Sequence, residues 1–188
     1  MTMVIVEGDG DEFSVPILLG KTLGKATEIS CMDMNGKGHI VRERKGFEDV
    51  VVRQNALGAK KFRILLDFDV VFPPYKNLQE EIDGMTKRAK ELQKQYSIDV
   101  TVCWAVRSFE SWLIGGLTKG SAYCGLERIN KPVSGDTEAA PEYPKQWLKD
   151  RLTDSRYNTE VQECLTKNVN WTQARKRNKS LQKFIASF

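Results

Sequence analysis

Two short apolar runs, far apart in the chain, each end in carboxylates, and this pattern constrains the fold more than any other. Residues 4–6 (VIV) are followed by Glu7, and residues 64–66 (ILL) are followed by Asp67 and Asp69. Short runs of this kind are typical of buried strands. Alternation along a strand puts Asp67 and Asp69 on the same side of the chain. If the strands are parallel neighbours, the three acids meet at one sheet edge, where ligands bind in open α/β sheets.

Carboxylates gathered at one edge predict a divalent cation. Like charges at close range repel one another unless a cation neutralises them, and oxygen-only ligands favour Mg²⁺ or Mn²⁺. We expect Glu7, Asp67 and Asp69 to be the catalytic acids and metal ligands, with Glu7 moving a proton or bridging two ions. Asp11, in the acidic turn after Gly8, is expected to be a further ligand.

The remaining patterns predict helices around a mostly parallel sheet, and therefore an α/β, Rossmann-like fold. Apolar spacing predicts a third strand at residues 99–106 and helices at residues 12–19, 47–60, 75–96 and 109–117. Residues 26–42 hold the turn formers Asn35-Gly36-Lys37-Gly38, which predict a loop or irregular hairpin. A phosphate-cradling turn is the alternative, although the chain contains no G-x-x-x-x-G-K-[ST] motif.

Two charged residues lie next to the expected end of the third strand. Glu110 falls in the first turn of a helix that Ser108 is expected to cap. It either complements the helix dipole or is a further metal ligand. Arg107 either stabilises charge on phosphoryl oxygens or forms a structural ion pair.

Residues 119–188 are expected to form an irregular and helical extension packed on a catalytic core of residues 1–118. Glycines and prolines interrupt residues 120–144, and short helices are predicted after them. An aromatic and basic cluster near the end of the chain is a candidate nucleic-acid contact: Trp171, Arg175, Lys176, Arg177 and Lys179. The cations would bind phosphates while the ring stacks on a base, and a solvated helix face is the alternative.

Composition narrows the classes of function. A net charge of +4 permits a nucleic-acid partner without demanding one. His39 is the only histidine, which argues against His-based metal sites and Ser-His-Asp chemistry. The cysteines are scattered without a C-x-x-C pair, so we expect single thiols, no zinc site and a cytoplasmic protein: Cys31, Cys103, Cys124 and Cys164. No apolar run reaches the ~20 residues of a membrane span.

The strand-ending Glu-Gly followed by a strand-ending Asp-x-Asp resembles the Toprim (topoisomerase–primase) superfamily. The matching pieces are VIVEG at residues 4–8 and LLDFD at residues 65–69. Further blocks resemble a bacterial Toprim family of unassigned function: SFESW at 108–112, PKQWL at 144–148 and KSLQKF at 179–184. That family is similar to the nuclease part of OLD-type (overcoming lysogenisation defect) proteins.

This resemblance implies a Toprim-like fold and a Mg²⁺- or Mn²⁺-dependent nuclease that cuts DNA or RNA, within a phage-defence system. It also implies an ABC/OLD-type ATPase as partner, and it favours the site role of Glu110. The alternative is a non-catalytic Toprim-fold module that binds or regulates the ATPase. The two hypotheses differ in metal binding, which only the nuclease needs.

Overall fold

A four-stranded parallel sheet forms the centre of the chain. The structure is a computed structural model, and it describes residues 1–24, 28–42 and 46–188. Its strands are β1 (Thr2–Val6), β2 (Ile29–Asp33), β3 (Lys61–Phe68) and β4 (Asp99–Val106). They lie in the order β2-β1-β3-β4, and every neighbouring pair is parallel. All four strands therefore end at the same edge, and the predicted α/β fold with a parallel sheet is confirmed.

Helices flank the sheet and make up most of residues 144–188. They are α1 (Asp9–Leu23), α2 (Lys37–Val41), α3 (Phe47–Ala56), α4 (Leu78–Tyr96), α5 (Phe109–Gly116), α6 (Pro144–Lys149), α7 (Thr159–Asn168), α8 (Trp171–Arg177) and α9 (Lys179–Ala186). The Asn77 side chain caps α4 by accepting the N–H of Glu80 at 2.9 Å, as expected for a helix start. Acidic residues in the first turn of α1 complement its dipole.

Two apolar clusters cover the two faces of the sheet. Because side chains alternate along a strand, Val4 and Val6 of β1 face one cluster while Met3 and Ile5 face the other. The first cluster includes α1, α5 and the helices after residue 143, and the second includes α3 and α4. The C-terminal helices thus complete the core on one face. None of the helices in the described ranges combines the length and the apolar character needed to cross a membrane.

The segment expected to be a loop contains a strand and a helix instead. Most of predicted loop 26–42 is occupied by β2 and α2, while residues 26 and 27 lie outside the described ranges. Residues of β2 are all only partly buried, so this edge strand lacks the apolar run that marks β1 and β3. Pairing with β1 determines its structure, and a local pattern does not report that pairing.

Two of the four cysteines are paired, which corrects the expectation of single thiols. Cys124 and Cys164 form a disulfide with their Cα atoms 5.7 Å apart, while Cys31 and Cys103 are free. The partners are 40 residues apart in sequence, and they meet because α7 lies beside the segment that follows residue 120. Their spacing gives no local indication of this contact.

Candidate active site at the carboxyl ends of the strands

Four of the five expected metal ligands, together with Asp9, line one cavity of about 440 Å³ at the carboxyl ends of β1 and β3. Glu7 directly follows β1, and Asp67 is the next-to-last residue of β3. The other two acids lie in the first turns of the helices that follow strands: Asp11 in α1 and Glu110 in α5. The parallel sheet therefore brings together acids that are distant in sequence.

Glu7 and Asp67 are linked to each other and to α5 through backbone N–H groups. The Oε1 atom of Glu7 accepts the N–H of Asp67 at 2.6 Å. The Oδ1 atom of Asp67 in turn accepts the N–H of Phe109 at 3.0 Å. Ser108, the expected cap of α5, occupies the cap position without a side-chain cap hydrogen bond, and its hydroxyl is buried without a partner. Asp67 therefore caps the helix from the neighbouring strand.

Helix α7 closes the other side of the cavity. The Nε2 atom of Gln162 donates to Asp11 Oδ1 at 2.7 Å. This approach needs Gly10, because a Cβ there would lie 2.5 Å from the Gln162 side chain. Tyr157 also lines the cavity, and its buried hydroxyl has no hydrogen-bond partner. Gln162 and Tyr157 thus bring polar groups of the C-terminal part to the cavity that holds the acids.

Burial and mutual repulsion raise the pKa values of Glu7, Asp11 and Asp67. Burial raises the pKa of Glu7 to about 8, partly offset by the N–H of Asp67 and the charge of Lys37. Burial, then the charge of Glu110, raises the pKa of Asp11 to about 7. Burial and the neighbouring acids hold the pKa of Asp67 well above its ordinary value. Burial is the largest cause of each shift, and the neighbouring carboxylates add to it.

The second acid of the Asp-x-Asp pair lies outside this cavity. Asp69 is exposed, and it lines a neighbouring cavity of about 620 Å³ instead. Its Oδ1 atom lies 3.8 Å from Lys37 Nζ. The two cavities share Asp67, Glu110 and Lys145. Of the five expected metal ligands, four therefore line one cavity and the fifth lines the adjacent one.

A buried ion pair binds the backbone at the end of β3 and in the loop that carries Asp69. Lys37 Nζ donates to the carbonyls of Asp67 and Val70 at 2.8 and 2.6 Å, and it lies 2.9 Å from Glu81 Oε1. Glu81 Oε2 accepts the N–H of Phe72 at 3.0 Å. Lys37 is 3% exposed and Glu81 is fully buried. The pair thereby fixes the backbone that follows β3.

In the glycine-rich turn before α2, the N–H of Gly36 is already used within the protein. Gly36 has a φ of 108°, a conformation that favours glycine. Its N–H already donates to the carbonyl of Glu7 at 2.5 Å. This hydrogen bond connects the turn to Glu7 at the end of β1. Lys37, the first residue of α2, then lies beside the carbonyls of Asp67 and Val70.

The acids do not form a closed metal-ligand set. Across residues 1–24, 28–42 and 46–188, no group of three or more His, Cys, Asp or Glu side chains is arranged to hold a metal ion. The donor chemistry nevertheless fits Mg²⁺ or Mn²⁺, since the cavity presents carboxylates and no nitrogen or sulfur ligand of histidine or cysteine. Binding an ion would require the four side chains to draw together.

Comparison with known proteins shows a similarity among solved structures. No protein-family model matches the chain, and no curated protein matches it significantly. Among solved structures, it is similar to the C-terminal region of the Burkholderia pseudomallei OLD protein, with a TM-score of 0.49 and 14% sequence identity. The match covers 99% of this chain and 97% of that chain. At this TM-score, the similarity carries no conclusion about the site or the activity.

Arg107 binds backbone carbonyls and also lines the cavity of about 620 Å³, so its expected contact with phosphoryl oxygens stays a prediction. It has a φ of 65°, and its guanidinium donates to the carbonyls of Glu138, Ala139 and Glu142 at 2.9, 3.1 and 2.9 Å. These acceptors are carbonyl oxygens and not carboxylates. Its hydrogen-bonding capacity is largely used in anchoring the segment that leads to α6.

The aromatic and basic cluster is divided by the fold. Trp171 is 5% exposed, and its Nε1 donates to the carbonyl of Thr166 at 2.9 Å. It packs in the core, so the expected stacking on a base is corrected. Arg177 donates to the carbonyl of Val133 at 3.0 Å. The other three cations of the cluster remain exposed: Arg175, Lys176 and Lys179.

Sequence patterns missed several residues of this site. Glu81 lies four residues before Met85 on the buried stripe of α4, and a carboxylate on an apolar stripe is a signal of an internal ion pair. Lys145 belongs to a block noted only for its family resemblance. For Gln162 and Tyr157 no local signal exists, because each reaches the cavity through tertiary packing alone.

Proposed function

We propose that the chain hydrolyses phosphodiester bonds of nucleic acid with Mg²⁺ or Mn²⁺ bound by the acids at the sheet edge. The observation that carries the proposal is the convergence of Glu7, Asp11, Asp67 and Glu110 on one cavity. These carboxylates repel one another, and a divalent cation bound among them would relieve that repulsion. The Toprim-like motifs around Glu7 and Asp67 give independent support.

Each residue has a definable role in this proposal. Glu7, Asp67, Asp11 and Glu110 would hold the metal, which when bound activates a water and stabilises the leaving oxygen. Glu7 would move a proton or bridge two ions. Lys145 would place its ammonium charge against phosphoryl oxygens. Asp69 would act from the adjacent cavity, by orienting water or substrate.

We also propose that the chain works with an ABC/OLD-type ATPase in a cytoplasmic phage-defence system. The support is the resemblance of the motifs at both ends of the chain to a Toprim family that is similar to the nuclease part of OLD-type proteins. The ATPase would regulate access to the site, so the isolated chain would cleave weakly. A non-catalytic module that binds the same ATPase is the second candidate. One observation favours it. Glu7 and Asp67 each accept a backbone N–H, so both carboxylates already have a structural role without a metal.

A cleavage assay with a matched pair of variants tests the proposal. Plasmid DNA, single-stranded DNA and RNA are incubated with the chain, with and without the ATPase, in Mn²⁺, Mg²⁺ or EDTA. We expect cleavage in Mn²⁺ that Glu7→Gln reduces by about 100-fold or more. Glu12→Gln makes the same chemical change in α1 outside the cavity and should leave cleavage unchanged.

Metal binding supplies a readout that does not depend on activity. Mn²⁺ should raise the melting temperature of the wild type by binding the folded state, and Asp67→Asn should reduce that rise. Absence of both cleavage and a Mn²⁺ response would favour the non-catalytic module. Cleavage by Glu7→Gln at the wild-type rate would assign the activity to other residues.

A further inference from the structure

The larger cavity beside the acids has features of a binding groove. It encloses about 620 Å³ and extends from Asp67 and Glu110 to α6. Its far wall presents Tyr143, whose side chain is among the most exposed large apolar ones at 69%. Two lysines of α6, Lys145 and Lys149, line the same wall. An exposed ring beside two cations is the combination that binds a base and its phosphates.

The wall is held firmly in place, which a groove of defined shape requires. Arg107 anchors the backbone of residues 138, 139 and 142 through three hydrogen bonds. Leu148 is fully buried and fastens α6 to the core. The guanidinium of Arg151 stacks over Trp147 at 3.8 Å. Tyr143 thus projects from a segment that is fixed on both sides.

The dimensions of the cavity favour a single strand over a duplex. Its volume lies within the ~300–1,000 Å³ of sites for small ligands. A duplex, whose major groove alone is about 12 Å wide, is too large to be enclosed in a space of this volume. Glu142 also lines the cavity, and Asp67, Asp69 and Glu110 line it too. Phosphates would therefore be bound locally, at Lys145 and Lys149.

We infer that this cavity binds single-stranded nucleic acid, with a base stacked on Tyr143 and phosphates bound by Lys145 and Lys149. The inference rests on the proposed function, because it assigns the strand that leads into the acidic cavity. It places nucleotides adjacent to the scissile bond along α6. Preference for single strands, or for unpaired ends of duplexes, follows from this placement.

Equilibrium binding tests the groove without relying on cleavage. A fluorescein-labelled single-stranded oligodeoxynucleotide and its blunt duplex are titrated with the chain in EDTA and again in Ca²⁺. The wild type should bind the single strand more tightly than the duplex. Tyr143→Ala should weaken single-strand binding by about five-fold or more, whereas Tyr143→Phe, which keeps the ring, should bind within about two-fold of the wild type.

Salt dependence tests the lysine. In Lys149→Gln the slope of log affinity against log salt should fall by about 0.7, the value for one phosphate contact on a single strand. Lys90 is exposed on α4 and lines neither cavity, so Lys90→Gln is the matched control and should leave the slope unchanged. A slope that falls in Lys176→Gln but not in Lys149→Gln would move the contact to α8 and overturn the inference.

The groove and the proposed activity can fail separately. If the wild type cleaves nucleic acid and Tyr143→Ala binds and cleaves equally well, the groove is overturned and the nuclease stands. If single-strand binding depends on Tyr143 but no chain cleaves any substrate, the groove stands and the proposed activity fails. Equal affinity for duplex and single strand would also overturn the groove.

Discussion

Glu7 shows how far its surroundings change the chemistry of a single residue. Its side chain is partly buried, near Asp11 and Asp69, and it accepts the N–H of Asp67. The N–H favours the charged form, but burial is the larger effect, and the pKa rises from 4.5 to about 8. A carboxylate with one good hydrogen bond is thus still neutral over much of the physiological range.

This shift predicts that the metal-free chain becomes less stable as pH rises. Glu7 and Asp11 have ordinary pKa values of 4.5 and 3.8, and folding raises them to about 8 and about 7. Between these values the folded chain binds more protons than the unfolded chain, so the free energy of unfolding decreases with increasing pH. Their stabilisation is complete below about pH 4 and lost above about pH 8.

Urea unfolding in EDTA at several pH values between these limits measures the effect. Glu7→Gln cannot titrate, so its free energy of unfolding should fall less steeply with pH than that of the wild type. Glu12→Gln, which changes a carboxylate outside the cavity, should keep the wild-type slope. Identical slopes for wild type and Glu7→Gln would show that Glu7 titrates normally in the folded chain.

At the scale of elements, the connection from β3 to α4 depends on two buried charges. Lys37 comes from α2 and Glu81 from α4, and between them they bind one backbone group at the end of β3 and two in the loop after it. Removing one partner leaves the other charge buried without compensation, which costs about 3–5 kcal/mol. The loop that carries Asp69 would lose its support in the same step.

Lys37→Met should therefore lower the free energy of unfolding by about 3–5 kcal/mol. The double variant Lys37→Met/Glu81→Leu should recover part of this loss, because no buried charge remains, while its cleavage stays low because the loop is no longer held. Urea unfolding and cleavage assays measure the two effects. Lys90→Met, on the exposed face of α4, should change stability by less than about 0.5 kcal/mol. Full recovery of cleavage in the double variant would contradict the role of the pair.

The same scale shows which elements and site residues were predictable from sequence. β4 was predicted with its observed bounds because most of its residues are apolar. β2 was missed because its residues are all only partly buried and form no long apolar run. Asp67 lies in the cavity as expected, but Asp69 does not. β3 ends at Phe68, so strand alternation no longer determines where Asp69 points. Lys37 and Gln162 depend on contacts between distant segments, which no local pattern encodes.

At the scale of the whole molecule, the Cys124–Cys164 disulfide joins α7 to the irregular segment before α6. Closing a loop of this length restricts the unfolded chain and typically contributes about 2–4 kcal/mol. Cys164→Ser should therefore lower the free energy of unfolding by about that amount in the absence of reductant. Dithiothreitol should lower the wild type to the same value and leave Cys164→Ser unchanged. An equal stability of the two proteins without reductant would show that the bond contributes nothing.

The disulfide also changes the connectivity of the chain. Residues 124–164 form a covalent ring, and that ring contains Tyr143, Lys145, Tyr157 and Gln162, the C-terminal groups that border the two cavities. A protease that cuts the irregular part of the ring opens it into a linear segment whose two ends both stay attached to the protein. Release of a fragment requires reduction as well as the cut. The C-terminal side of the site is therefore joined to the rest of the protein through both the backbone and the disulfide. The strand-end acids are joined to it through the backbone alone.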